Sequence, residues 1–409
     1  MSRKRSSPER RLTGILLFFF FLAFLLLSMK RGSWDGLVFA VAVPAAMLAS
    51  SLLIPRLFPA DQLMLSLTNF LCALGLLMLY DTAPALAYHQ AVSWAIGLVG
   101  MIAAMLLVRR VRGPGPLIWL ASAISLILLA LPFLLGREIN GARNWVDLGF
   151  FSFQPSEIVK PVLVLVLACF MARRRFLPWL VFTFSCLALL MLQRDLGAAL
   201  LYYCVALLLF WISSGSLPSL ILGLCGGAAG ALWGYEHFAH VQRRVQIWIN
   251  PWKDYQNAGY QIVQSLVAIA SGGLFGVGLG LGAPTSIPIY TSDFIFSVIC
   301  EQFGLIFGIC VLLVYGALLW RGAAIAMEAR RRFHALAAMG ATLLLGLQAF
   351  LIIGGVLKLI PLTGITLPFV SYGGTSLVSS MCLAGLIQGV DSLNKDDLRE
   401  DMRLTRISS

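Results

Sequence analysis

The chain has 409 residues, 59% of them hydrophobic and only 12% charged, where a soluble globular domain carries roughly a quarter charged residues. That balance excludes a soluble enzyme and indicates a polytopic membrane protein in the lipid bilayer. The formal net charge of +12 would suggest nucleic acid in a soluble chain, but no basic patch is interleaved with aromatics, so the basic residues are assigned to cytoplasmic loops and nucleic acid is excluded as a partner.

The N-terminal stretch MSRKRSSPERRLTGILLFFFFLAFLLLSMKR has the basic and apolar parts of a signal peptide. Its apolar run is long and no small-residue cleavage site follows, so a retained span is expected. About 20 mostly apolar residues cross a bilayer as a helix. Segments that meet or approach this are 12–29, 36–54, 62–80, 91–108, 116–135, 158–171, 178–193, 196–213, 217–235, 295–320, 333–356 and 376–390. Segments 259–282 and 359–375 are apolar but rich in Gly, Pro and Thr, and are expected to be re-entrant or surface-lying, which lipid tolerates only where protein or water covers the backbone. With both termini cytoplasmic, most of the 30 Lys and Arg residues fall inside, and the loops 136–157, 236–294 and 358–375 face outward. The eight cysteines sit in apolar runs without CxxC spacing and read as packing residues. The sequence holds no Walker A loop, HExxH or strand-linked GxGxxG. GGLFGVGLGLG (272–282) reads as close backbone packing in a bent membrane segment.

Four polar constellations interrupt the apolar pattern. GARNWVDLGFFSFQPSEIVKP (141–161) places Glu157 and Lys160 three residues apart on one helix face, where they can pair, with Ser156 as the expected N-cap and Trp145 as an interfacial or site residue. QRDLGAALL (193–201) sets Arg194 and Asp195 in a tight outward turn between two helices. The loop 236–294 brings His237, His240, Arg243 and Arg244 into one segment with Asp293, a set suited to a phosphate-bearing anion, with metal binding by the two histidines the lesser alternative. KLIPLTGITLPFVSYGGTS (358–376) cannot form a straight helix and is suited to irregular backbone lining a cavity. Asp293 can be either a site carboxylate or a helix-capping acid. Glu301, about 12 Å deeper in the same helix, is expected to be structural or to tune it.

In this order, GARNWVDLG…QPSE, RDLGAALL, GGLFGVGLG, TSDFIFSVICEQFG and PLTGITLPFVSYGGTS resemble the SEDS family (shape, elongation, division and sporulation) of RodA-, FtsW- and SpoVE-like proteins. The resemblance covers about residues 60–392. It implies an all-α, ten-helix membrane core that polymerises lipid II into glycan strands on the outer face of the bacterial cytoplasmic membrane, beside a class B penicillin-binding protein. Residues 1–58 then hold a basic N-terminus and two extra transmembrane helices, 59–392 the core, and 393–409 a cytoplasmic tail. The family's catalytic aspartate falls on Asp293. Trp145, Glu157 and Lys160 fall on positions used near its central cavity, Asp195 on the acid of its PDLG-like turn, and Ser371, Tyr372, Gly373, Gly374, Thr375 and Ser376 on its SYGGSS-like segment. Thr291-Ser292 stand where His-Thr is usual, and Gln302 replaces the second Glu of EELG. The carboxylate is retained.

The chemistry implied is attack by a GlcNAc 4-hydroxyl on an anomeric carbon that leaves a lipid pyrophosphate. Asp293 would accept the hydroxyl proton, and Arg243, Arg244, Lys358 or a divalent cation (Mg or Mn) would offset the leaving charge. Two alternatives from other classes are a lipid II flippase, which would move lipid without making polymer, and a non-catalytic scaffold for the penicillin-binding protein, in which Asp293 would be dispensable.

Overall fold

The computed structural model describes residues 8–111, 115, 117–139, 142–149, 152–257 and 259–408. The N-terminal residues Arg3, Lys4 and Arg5, the loop residue Arg112 and the first residue of the GARNWVDLG motif lie outside them. Twelve long helices occupy the twelve expected spans: α1 (Pro8–Arg31), α2 (Trp34–Leu57), α3 (Gln62–Thr82), α4 (Pro84–Arg110), α5 (Leu117–Leu135), α6 (Pro155–Ala172), α7 (Phe176–Leu192), α8 (Leu196–Ser214), α9 (Leu217–His237), α12 (Ile295–Glu328), α13 (Arg332–Val356) and α14 (Gly374–Ser408). Eleven are long and apolar enough to cross a membrane, and α7 is a shorter apolar helix. Two further short helices, α10 (Ala239–Ile249) and α11 (Tyr260–Gly272), lie within the long connection between α9 and α12.

The helices α3, α6, α13 and α14 form the middle of the bundle, with most of their apolar windows buried inside protein. Their neighbours expose apolar faces, as lipid-facing helices do. Helix α9 is the extreme case: it packs chiefly against α8 and α10 and is almost wholly exposed.

The outward loop expected at 136–157 contains a small antiparallel meander, β1 (Gly136–Ile139), β2 (Ala142–Asp147) and β3 (Ser152–Phe153). Helix α6 starts directly after it at Pro155, whose missing N–H costs nothing in the first turn. Gln154, not Ser156, therefore stands at the N-cap position, and Ser156 turns toward α8 instead.

Helix α12 breaks at Gly304, which has φ 82° and ψ 171°. The break would leave main-chain groups unpaired in an apolar setting, and the glycine-rich segment fills it. Leu305 N and Ile306 N donate to Gly273 O and Leu274 O at 2.9 and 3.2 Å, while Val277 N and Gly278 N donate to Glu301 O and Gln302 O at 2.9 and 3.0 Å. Irregular backbone is thus satisfied by protein.

The polar C-terminal segment is helical. Helix α14 continues unbroken to Ser408, at about 52 Å too long for the hydrocarbon layer alone. Its polar end is tied to the bundle by Arg109–Asp396 at 2.9 Å, Arg330–Asp397 at 3.7 Å and an Arg330–Asp401 pair.

Candidate active site

Asp293 lies between the turns that follow the glycine-rich segment and the first residue of α12. The N-cap position of α12 is Phe294, with no side-chain cap, so Asp293 is not the capping acid that its place in sequence allowed. Its carboxylate faces a cavity of about 560 Å³ lined also by Arg243, Arg244, Asn257, Gln261 and Gly364, with apolar walls from Ile262, Ile289 and Leu362.

The segment 357–373 holds this arrangement from one side. Arg244 Nη1 donates to Leu362 O and Thr363 O at 3.2 and 2.9 Å. Gly364 follows with φ 72°, and a Cβ there would stand 3.6 Å from Arg244 Nη2 and 3.8 Å from Asp293 Oδ2. Guanidinium and carboxylate therefore converge on one point beside bare backbone. Ser371 Oγ donates to Ser292 O at 2.6 Å, and Tyr372 N donates to Thr291 O at 2.9 Å, which clamps the two residues before Asp293. Gln90 holds the clamp by donating to Ser371 O at 3.0 Å and accepting from Gly373 N at 3.3 Å.

Burial pushes the Asp293 carboxyl up to about 6, against the opposing pull of the Ser292 hydroxyl and the Arg244 guanidinium. Desolvation outweighs the pull of the Arg244 cation, whose guanidinium is also held by two main-chain carbonyls. A carboxyl in that range is mostly ionised at neutral pH yet more basic than an ordinary aspartate. Nearby, burial and the Arg244 and Arg194 cations push the His240 pKa down.

Of the residues assigned from sequence, Asp293, Arg243 and Arg244 line the cavity; Trp145, Glu157, Lys160, Asp195, Lys358 and the 371–376 run do not. Lys358 Nζ donates to Ile249 O at 3.3 Å and its carbonyl accepts from Trp248 Nε1 at 3.1 Å, joining 357–373 to α10. Asp195 caps α8 by accepting from Ala198 N at 3.2 Å, and its other oxygen accepts from Asn144 at 3.0 Å and Gln154 at 2.8 Å. It knits the meander to the bundle. Glu157 and Lys160 pair at 2.6 Å, both buried, and Lys160 also donates to Gln348 Oε1 at 2.9 Å. Gln348 Nε2 donates to Thr366 O at 2.8 Å, and Thr366 Oγ1 shares a 2.5 Å hydrogen bond with Ser376 Oγ. The pair is thus linked to the backbone that carries Gly364. Gly374 and Thr375 open α14, and Trp145 is half-buried in β2.

Sequence reasoning missed Asn257 and Gln261, which sit four apart at the mouth of α11, and Gln348. The signal for Gln348 was an amide in the middle of an otherwise apolar span, a costly placement without a partner. Glu301 Oε1 accepts from Ala283 N at 3.0 Å, a structural use that fits the sequence expectation. His237 stacks on Trp233 and His240 packs on Phe238. Among the described residues no cluster of three His, Cys, Asp or Glu side chains could hold a metal ion.

The profile of the FtsW/RodA/SpoVE cell cycle protein family matches residues 61–396. The chain belongs to this family. Among relatives of the FtsW/RodA/SpoVE family, the peptidoglycan glycosyltransferase RodA of Mycobacterium tuberculosis (strain ATCC 25618 / H37Rv) is 32% identical over 96% of this chain and 92% of its own length. Stage V sporulation protein E of Bacillus subtilis is 32% identical over 82% of this chain and 98% of its own. Two solved structures share the fold. One comes from a peptidoglycan synthase complex that coordinates polymerisation and crosslinking, with a TM-score of 0.69 and 31% identity over 82% of this chain and 98% of that one. The other is Thermus thermophilus RodA, with a TM-score of 0.62 and 31% identity over the same shares. Helices α1 and α2 precede the matched family region.

Proposed function

We propose that the cavity at Asp293 is where this peptidoglycan glycosyltransferase polymerises lipid II, on the outer face of the cytoplasmic membrane, with both chain termini inside. The observation that carries the assignment is the convergence of a carboxylate raised to about 6 and a carbonyl-held guanidinium on one cavity. Asp293 takes the proton from the GlcNAc 4-hydroxyl as its oxygen bonds to the anomeric carbon of the growing strand. The bond from that carbon to the lipid pyrophosphate breaks, and the pyrophosphate departs with the bonding electrons. Arg244, with Arg243 beside it, meets that charge. Lys358 is assigned instead to holding the backbone, because its ammonium is engaged by Ile249 O away from the cavity. The Lys160–Gln348–Thr366 chain and the Ser371 clamp position the two reacting groups.

A divalent cation was the other candidate for the leaving charge. The cavity offers one carboxylate beside two guanidiniums, a set matched to an anion; Mg²⁺ wants near-octahedral oxygen ligation. No step is routed through a metal. The membrane partner proposed is a class B penicillin-binding protein, supported by the resemblance to a synthase complex that couples polymerisation to crosslinking.

The test is glycan-strand formation from purified lipid II by the full chain with a matching class B partner, comparing wild type with Asp293→Asn. Polymer from wild type and a fall of at least about a hundredfold in the variant is the expected result. Comparable polymer from both would remove Asp293 from the chemistry. Lipid II crossing liposome membranes without polymer would favour a flippase.

A further inference from the structure

Two features have no part in the reaction as proposed: helices α1 and α2, which precede the matched family region, and the glycine-rich plug in the break of α12. The structure joins them. Helix α1 ends in Lys30 and Arg31; Lys30 Nζ donates to Gly280 O, and Arg31 Nη2 donates to Asp81 O with its guanidinium 5.4 Å over the Tyr80 ring. Asp81 Oδ2 accepts from Gln302 Nε2 at 2.6 Å, and Gln302 Oε1 accepts from Gly280 N at 3.1 Å. Both main-chain groups of Gly280 are therefore held, the carbonyl by the α1–α2 hairpin and the amide by α12. Gly280 has φ 73°, a conformation that favours glycine, and a Cβ there would stand 2.9 Å from both Asp81 Oδ1 and Lys30 Nζ and would displace these side-chain ends.

The hairpin is itself fixed to the core. Phe24 stacks on Phe39 at 5.7 Å, Phe39 meets Tyr80 at 5.1 Å, and Ser33 Oγ and Tyr80 OH share a 2.8 Å hydrogen bond. Gln302 is chemically matched to this place. Its amide donates to a carboxylate and accepts from a backbone amide at once, whereas a glutamate would put two carboxylates against each other.

We propose that the α1–α2 hairpin is a positioning element for the Asp293 cavity. Through Lys30, Arg31, Asp81 and Gln302 it fixes Gly280, and with it the plug that sets the outer half of α12, which begins two residues after Asp293. The plug also continues directly from α11, whose Gln261 lines the cavity and whose Ser265 shares a 2.6 Å hydrogen bond with Ser297 of α12. The inference rests on the glycosyltransferase reading and deepens it.

The test uses the purified full chain with its class B partner and lipid II, and compares wild type, Gln302→Glu, Gln302→Glu with Asp81→Asn, and Lys30→Gln with Arg31→Gln. Gln302→Glu and the Lys30/Arg31 variant are expected to lower kcat roughly tenfold with KM little changed, since small misplacements of reacting groups act on the chemical step. Adding Asp81→Asn should bring Gln302→Glu back to within about threefold of wild type, because the pair is coupled. Hydrogen exchange at residues 276–283 should speed up in the Lys30/Arg31 variant. Wild-type kcat in all variants, or unchanged exchange at 276–283, would overturn the proposal. Failure of wild type to polymerise, with exchange responding as expected, would instead overturn the glycosyltransferase reading and leave the hairpin as a clamp on the plug.

Discussion

The two ends of the bundle hold charge in opposite ways. Away from the cavity, cations and anions are spent on one another: Arg321 meets Asp61 at 2.8 Å, Lys395 meets Asp391 at 2.6 Å, and Arg109 and Arg330 bind the acids of the extended α14. At the cavity, Arg244 is held by main-chain carbonyls, and Asp293 keeps its carboxylate toward open volume. Side chains paired with each other are committed to structure. A cation held by neutral carbonyls keeps its charge for an incoming anion, and a desolvated carboxylate beside it keeps its basicity for a proton. Glu157–Lys160 is a third case, paired and buried inside the bundle.

That contrast can be broken at graded cost. Lys160→Met should have the largest effect on stability, about 3–5 kcal/mol, because it leaves Glu157 as a buried unpaired charge; thermal unfolding in detergent measures it, and pairing the change with Glu157→Gln should recover much of the loss. Arg244→Gln should cost about a hundredfold in kcat. It should also move the acid limb of the kcat/KM profile, expected near pH 6 in wild type if Asp293 is the base, to higher pH, because removing a nearby cation makes the carboxyl hold its proton more tightly.

Asp293→Asn should act on stability in the reverse sense to its effect on activity. The native carboxyl binds its proton more tightly than in the unfolded chain, so its contribution is present below about pH 4 and is lost as pH rises through about 6. At neutral pH the ionised group is a net cost, and the variant should unfold at a higher temperature by the equivalent of about 1–2 kcal/mol; near pH 4 the two should coincide. A lower midpoint for the variant at neutral pH would mark Asp293 as structural. Arg330→Gln should matter least, under about 1 kcal/mol, as the pair at the exposed end of α14 is solvent-screened.

Legibility in the sequence followed the physical origin of each feature. The twelve spans were plain because crossing lipid needs long apolar runs, and α7, the shortest, was still recognisable between Arg175 and Arg194. The glycine-rich segment was legible as close backbone packing, but its partner was not, since the gap it fills arises from the φ of Gly304 in another element. Ser156 looked like a cap and is not one, because the helix starts a residue earlier at Pro155 and the hydroxyl finds Asp195 across the bundle. The anchoring of the tail was not legible, because its length and polarity say nothing about the Arg109 and Arg330 that meet it.

The sequence by itself determined that this protein lives in a bilayer, where its apolar spans fall, and that Glu157, Lys160, Arg194, Asp195, Arg243, Arg244, Asp293 and Glu301 are the charges that interrupt or flank them. Those are properties of composition and local pattern. Only the tertiary structure decided which polar residues serve a cavity and which serve one another. A carboxylate's basicity depends on the water removed from it and the cation set beside it, and both are supplied here by segments far along the chain: α10 with Arg244, and the 357–373 backbone that holds it.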